Sequence, residues 1–184
     1  MNIYKYLLLM GVAVLGTSCG DDDVENPNPP NEEELITTVI LTFSPSAGTD
    51  VVAIWKDTDG PGGNLPEIDE ILLEESEDYD LFVQFLNESN PTDVEDITEE
   101  IKEEDDEHQI FYSGTAEGTV VNYNYADMDE NGLPVGLSGT IDPLITGTGT
   151  FRITLKHLPE IKNAGSSIND GDTDIEVDFN LEVF

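Results

Sequence analysis

Basic residues are scarce in this chain: 6 Lys and Arg stand against 41 Asp and Glu in 184 residues, a formal net charge of -35. That shortage excludes nucleic acid as a partner, because binding it needs Lys and Arg to replace the counterions condensed around the phosphates. Cations and basic surfaces remain open as partners, as does the plainer role of a charge that keeps an exported domain in solution. Cysteine occurs once, at Cys19, so no disulfide can form within the chain. Tryptophan also occurs once, at Trp55, and nothing suggests a sugar-stacking cleft. No G-x-S-x-G or H-E-x-x-H string is present, and we expect no enzyme. His108 and His157 are the only histidines.

The N-terminal residues read as an export signal. Lys5 precedes the apolar run "YLLLMGVAVLG" (6–16), which is too short to span a bilayer comfortably, and small residues follow it. The run leads into "LGTSCGDDD", which resembles the lipobox of bacterial lipoproteins, in which the cysteine is acylated and becomes the new N-terminus. Gly16 departs from the aliphatic residue usual three places before that cysteine, and Leu15 stands one place further out. The resemblance implies a signal peptide over 1–18, lipidation of Cys19 and a membrane attachment through acyl chains. Residues 20–34, "GDDDVENPNPPNEEE", cannot bury apolar surface and should form a solvated tether. The acidic run behind the cysteine also resembles the signal that sends some lipoproteins across the outer membrane, so the expected location is the outer membrane, facing the cell exterior.

From residue 35 to 184 the hydrophobic pattern has period two. "YDLFVQFL" places Tyr79, Leu81, Val83 and Phe85 on one face, and "FRITLKH" does the same for Phe151, Ile153, Leu155 and His157, with Arg152, Thr154 and Lys156 opposite. "TDIEVDFNLEVF" alternates Ile175, Val177, Phe179, Leu181 and Val183 inward with Asp174, Glu176, Asp178, Asn180 and Glu182 outward. Such alternation marks strands buried on one side. Further strands are expected over 37–43, 50–55, 68–74, 108–113 and 119–125. Together with the short Gly, Pro and Asp connections, they predict an all-β, antiparallel, Ig-like β-sandwich of about 7–9 strands. One segment differs: Val94, Ile97 and Ile101 follow a helical stripe, with Thr92 and Glu95 as a capping box. The pattern predicts one short amphipathic helix over about 93–105 at the sandwich edge.

The succession "ELITTVILTF", "WKDTDGPGGN", "LFVQFLNESNPTDVEDITEEI", "DEHQIFY" and "TLKHLP" resembles a group of small acidic bacterial surface lipoproteins. These are carried under the label type 1 periplasmic binding fold superfamily and associated with TonB-dependent receptors. The resemblance implies an accessory role beside an outer-membrane receptor. The label's fold, two α/β lobes about a hinge, conflicts with a chain carrying one helical segment, and only the receptor association is kept.

"EEDDEHQIFY" (103–112) holds the first candidate site. Acids at a helix C-terminus oppose the helix dipole, and Glu100/Glu104 and Glu103/Glu107 add like-charge pairs. Either His108 caps the helix as a favourable cation among solvated acids, or Glu104, Glu107 and His108 offer mixed oxygen and imidazole ligands to Zn²⁺ or a related ion. His157, at a strand end, is placed to join them, or to sit as a hydrogen-bonded rim residue. Three loops suggest Ca²⁺. Asp127, Asp129, Asn131 and Gly132 fall at positions 1, 3, 5 and 6 of an EF-hand-like loop, although Ser138 replaces its final Glu. Asp57 and Asp59 precede a glycine turn, and Asp170, Asp172 and Asp174 alternate in the third loop. All three are also ordinary turn chemistry. The expected function is a non-enzymatic surface lipoprotein that binds a divalent cation. The alternative is a structural or adhesive module whose loops take up Ca²⁺ weakly and which has no dedicated ligand.

Overall fold

The computed structural model describes residues 34–60 and 62–184; the expected signal peptide, Cys19 and all of the expected tether except Glu34 lie outside the described residues. Alternating apolar residues build two sheets that face each other. The larger has the order β3 (Glu67–Ile68), β2 (Val51–Lys56), β1 (Thr38–Pro45), β5 (Tyr79–Asn87), β9 (Ser138–Pro143), β8 (Val121–Tyr125), with β6 (Glu95–Asp96) beside β5. The smaller runs β4 (Ile71–Leu73), β11 (Asp172–Val183), β10 (Gly147–His157), β7 (His108–Ser113). Phe43 and Phe85 from the first sheet and Phe151 and Phe179 from the second lie fully buried between them. The fold is an all-β sandwich; every pairing is antiparallel except that of β4 with β11. Among the described residues, no helix is long and apolar enough to cross a membrane.

Four local features differ from the sequence pattern. The expected strand over 68–74 divides, and its halves join different sheets, because Asp69 pairs with Ile54 through both its backbone N–H and its carboxylate. That double contact ends the ladder with β2 and lets the chain cross over. Second, β9 was hidden by Gly139 and Pro143. A Cβ on Gly139 would stand 2.3 Å from the Tyr123 ring, so the residue that weakens the strand signal is the one that lets the ring lie there.

Third, the helix α1 (Ile97–Glu103) is shorter than expected and is capped by Asp96, whose carboxylate accepts from the Thr98 N–H at 3.1 Å. Glu95 and Asp96 are held in β6 by Asn87 and Leu86, Thr92 bonds Asn90 instead of capping, and Val94 is half exposed. Fourth, the end of β10 is buried on both faces: Thr154 and Lys156, expected outside, are enclosed, and the Lys156 ammonium donates to Gly171 O and Thr173 Oγ1. α1 docks on β5 through Thr98, whose hydroxyl accepts from Phe85 N–H and donates to Phe85 O. Its C-terminal end leads directly into β7.

Candidate metal centre

His108 opens β7 and His157 closes β10, and the antiparallel ladder makes them register partners. Residues directly opposite in such a ladder project to the same side at about 4.5–5.5 Å between Cβ atoms. The two rings stack, with centroids 4.6 Å apart and planes 8° from parallel. Both residues are buried. A chain with two histidines therefore places both in one enclosed spot.

The carboxylates approach from three segments. Glu104, the C-cap of α1, offers its carboxylate so that one ligand atom each from Glu104, His108 and His157 lies within 4.8 Å of the others. Glu107 Oε2 is 3.3 Å from His157 Nε2. On the other edge of His108, Nε2 stands 3.7 Å from Glu34 Oε1 and 4.0 Å from Asp174 Oδ2. His108 Nδ1 lies 3.0 Å from the Glu104 carbonyl, which can only accept, so this nitrogen carries the proton and Nε2 keeps its lone pair. His108 does cap the helix, though not as the cation the sequence suggested: burial pulls its pKa down to about 4, and it is neutral at pH 7. A neutral imidazole with an oriented lone pair is the form that ligates metal. This cluster of two buried histidines and the exposed Glu104 carboxylate could hold a metal ion.

Burial also pushes Glu34 up to about 8, with Glu100, Asp174 and Glu104 adding repulsion. From about pH 4.5 to 8 the folded state keeps a proton on Glu34 that the unfolded state has lost, so rising pH works against folding. His108 acts with the opposite sign between about 4 and 6.5, where the unfolded state binds the extra proton. The two offset each other up to about pH 6.5, and above it Glu34 acts alone. With metal chelated, stability should fall by about 1–2 kcal/mol between pH 6.5 and 8.5, at 1.36 kcal/mol per unit less a discount for partial solvation. Urea titrations of wild type and E34Q would show it; an equal pH trend in both would refute the assignment to Glu34.

The Asp loops are engaged internally. Asp127 accepts Gly136 N–H and Ser138 N–H through its two oxygens. Asp129 Oδ1 accepts from the backbone N–H groups of Asn131 and Leu133, while the Lys162 ammonium stands 2.9 Å from Oδ2. In this EF-hand-like loop the cation beside Asp129 is the chain's own. Asp57 accepts from Gly60 N–H, and Asp59 from both nitrogens of Asn64. Asp170 bonds Ser167, Asp172 is exposed, and Asp174 turns inward to His108. Among the described residues, the Glu104, His108 and His157 group is the one set of three or more ligating side chains that converge.

Two residues around the site escaped the sequence reading, Glu34, assigned to the tether, and Lys162; Asp174, weighed for the third Ca²⁺ loop and assigned outward on its strand, turns inward instead. Asp174 is the extra residue of a β-bulge, since Ile175 faces Leu155 and Thr173 faces Lys156. A bulge re-aims side chains, and period-two patterning cannot show it. Gly171 supports the same corner with φ 59°, and a Cβ there would meet His157 O at 2.1 Å. Gly171→Ala should cost more than about 1 kcal/mol in denaturant unfolding and displace His157; an unchanged midpoint would contradict this tight approach. A separate cleft of about 590 Å³ runs between α1 and the Asp127–Ser138 loop, over half-exposed Phe82 and Met128; neither histidine lines it.

No family model, curated protein or solved structure matches the chain.

Proposed function

We propose that this chain is a non-enzymatic, lipid-anchored surface module whose β-sandwich binds a divalent transition-metal ion, Zn²⁺ in the first place, at the His108–His157 pair. The observation that carries the reading is the stacked, buried pair itself, 4.6 Å between centroids, with carboxylates at both edges. Imidazole and carboxylate without sulfur suit zinc at bonds of about 2.0–2.2 Å. Cu²⁺ and Ni²⁺ compete by the general affinity order. The charge of -35 raises the local concentration of cations at the surface. Anchoring rests on the lipobox around Cys19, and the accessory role beside an outer-membrane receptor rests on the family resemblance. A module of this kind would collect or present a metal ion at the cell exterior.

Calorimetric titration with Zn²⁺ and separately with Ca²⁺, at physiological salt, tests the reading. Micromolar or tighter binding of one Zn²⁺, with weak or no Ca²⁺ heat, is the expected result. No Zn²⁺ binding, or Ca²⁺ binding of equal strength, would reject it.

A further inference from the structure

We propose that the cleft between α1 and the Asp127–Ser138 loop, with the sheet face beside it, docks a basic segment of a partner protein. The segment inserts an apolar side chain flanked by Lys or Arg. The surface goes beyond the metal reading, and its cleft contains none of Glu104, His108 and His157. Strand register supplies the first argument. Residues directly opposite in an antiparallel ladder project to the same side. Leu41, Ala53 and Val83 are buried in the core, so their neighbours Ile40, Thr42, Val52, Ile54 and Phe82 point away from it. Ile40 pairs with Ile54, and Thr42 lies between Val52 and Phe82. Val52 and Phe82 are 49% and 51% exposed. A single exposed apolar residue is ordinary, but neighbours across three strands form a face that marks an interaction surface.

The cleft supplies the second. Phe82 is where the face meets it, and Met128, Val135 and Leu137 stand with Phe82 in its walls. Its volume of about 590 Å³ is in the range that receives an organic group. Half-exposed Met128 beside an aromatic ring makes a contact that adapts to the side chain entering. Charge supplies the third. Asp96, Glu99, Asp105 and Asp127 share these walls with one cation, Lys102, whose ammonium stands 2.7 Å from Glu99. An apolar group with a cation on either side satisfies both the floor and the rim, and Arg adds paired hydrogen bonds to a carboxylate.

The same charge sets other occupants aside. A second copy would bring one acidic rim against another in two chains of net charge -35. Residues 20–33 hold acids and no Lys or Arg, so the rim repels the chain's own N-terminal segment as well. A small organic cation would fill the cleft and leave the face from Ile54 to Phe82 uncovered, whereas a polypeptide covers both. The partner is therefore a protein segment that is basic and carries an aromatic or aliphatic anchor, the side-chain types that dominate interface energetics.

The test follows the fluorescence anisotropy of a labelled peptide, Gly-Arg-Lys-Gly-Phe-Gly-Lys-Arg-Gly, added to the full chain in phosphatidylcholine nanodiscs with chelator at physiological salt. Binding in the micromolar range is expected. Replacing the peptide's Phe by Ala should weaken it at least about 10-fold, the loss of a buried aromatic side chain. F82S and M128S should each weaken it at least about 5-fold, and M128S keeps the test open if F82S folds poorly. L65S, at an exposed leucine outside the cleft, should change it less than about 2-fold. D105N should weaken it more than E182Q, which removes the same charge from the other sheet. Binding indifferent to the peptide's Phe, to F82S and to M128S would be general attraction to an acidic surface and would overturn the proposal. Absence of binding would overturn it too. Sedimentation that shows dimers dissociated by F82S would give the face to a second copy instead. With chelator present, none of these outcomes bears on the zinc reading.

Discussion

Zinc at about 100 times its dissociation constant is expected to raise the melting temperature of the wild-type chain by about 5–10 °C, and the H108A/H157A double substitution is expected to abolish that rise. The size follows from linkage: a ligand at that excess which binds only the folded state adds about 2.7 kcal/mol. For a domain of this length each kcal/mol moves the midpoint by about 2–4 °C. Both histidines must go, because either alone leaves an imidazole among carboxylates, enough for weak binding. Their removal should weaken affinity more than about 100-fold, since the acids that remain are ligands better suited to Ca²⁺ or Mg²⁺ than to zinc. The quantity to read is the zinc-dependent shift, not the absolute midpoint, because His108 is enclosed and its truncation removes packing as well as a ligand. Differential scanning calorimetry with zinc and with chelator gives both. A shift that survives in the double variant would place the zinc elsewhere on this acidic surface.

The histidine pair was legible in the sequence because it lies on regular strands. "HQIFYS" begins with one histidine and "FRITLKH" ends with the other, so antiparallel pairing in the natural register brings them face to face. Strict alternation made β5 and β11 readable for the same reason: each buries one face against the other sheet. Two carboxylates beside His108 were not legible. Glu34 follows a run of Pro, Asn and acids whose composition says tether, and only its position 3.7 Å from His108 Nε2 shows that it packs on the domain. Asp174 was placed outside by the rule that served the rest of β11, and one inserted residue reverses its direction. Composition and period describe the regular part of a fold, whereas a bulge or a helix end is decided by tertiary contacts. The α1 start illustrates this: Thr92 with Glu95 is a sound capping box on paper, but Glu95 and Asp96 gain more by pairing with β5.

Removing the Lys162 charge should destabilise the domain by about 3–5 kcal/mol, the usual cost of leaving one member of a buried ion pair without its partner. Among so few cations this one is wholly enclosed: the Lys162 and Asp129 side chains are 1% and 0% exposed. The ammonium stands 2.9 Å from Asp129 Oδ2 and donates to Asp105 O at 2.6 Å. It therefore ties three segments that frame the histidines: the acidic turn after α1, the Asp129 loop and the turn that follows β10. In K162M the Asp129 carboxylate stays buried with its charge uncompensated, and Asp105 O loses its donor. D129N should cost less, because the amide can keep accepting from Asn131 and Leu133 N–H while Lys162 retains Asp105 O. The double variant K162M/D129N should then be more stable than K162M alone, since the amide removes the uncompensated charge. Urea unfolding of the four proteins in chelator measures the coupling. A K162M loss below about 1 kcal/mol, the range of an exposed pair, would mean that water reaches Asp129. The loop would then be open to an outside cation, and its Asp-x-Asp-x-Asn-Gly pattern would again point to Ca²⁺. A loss in the full range, rescued by D129N, would establish the ammonium as the loop's built-in cation, leaving the histidine corner as the place for metal.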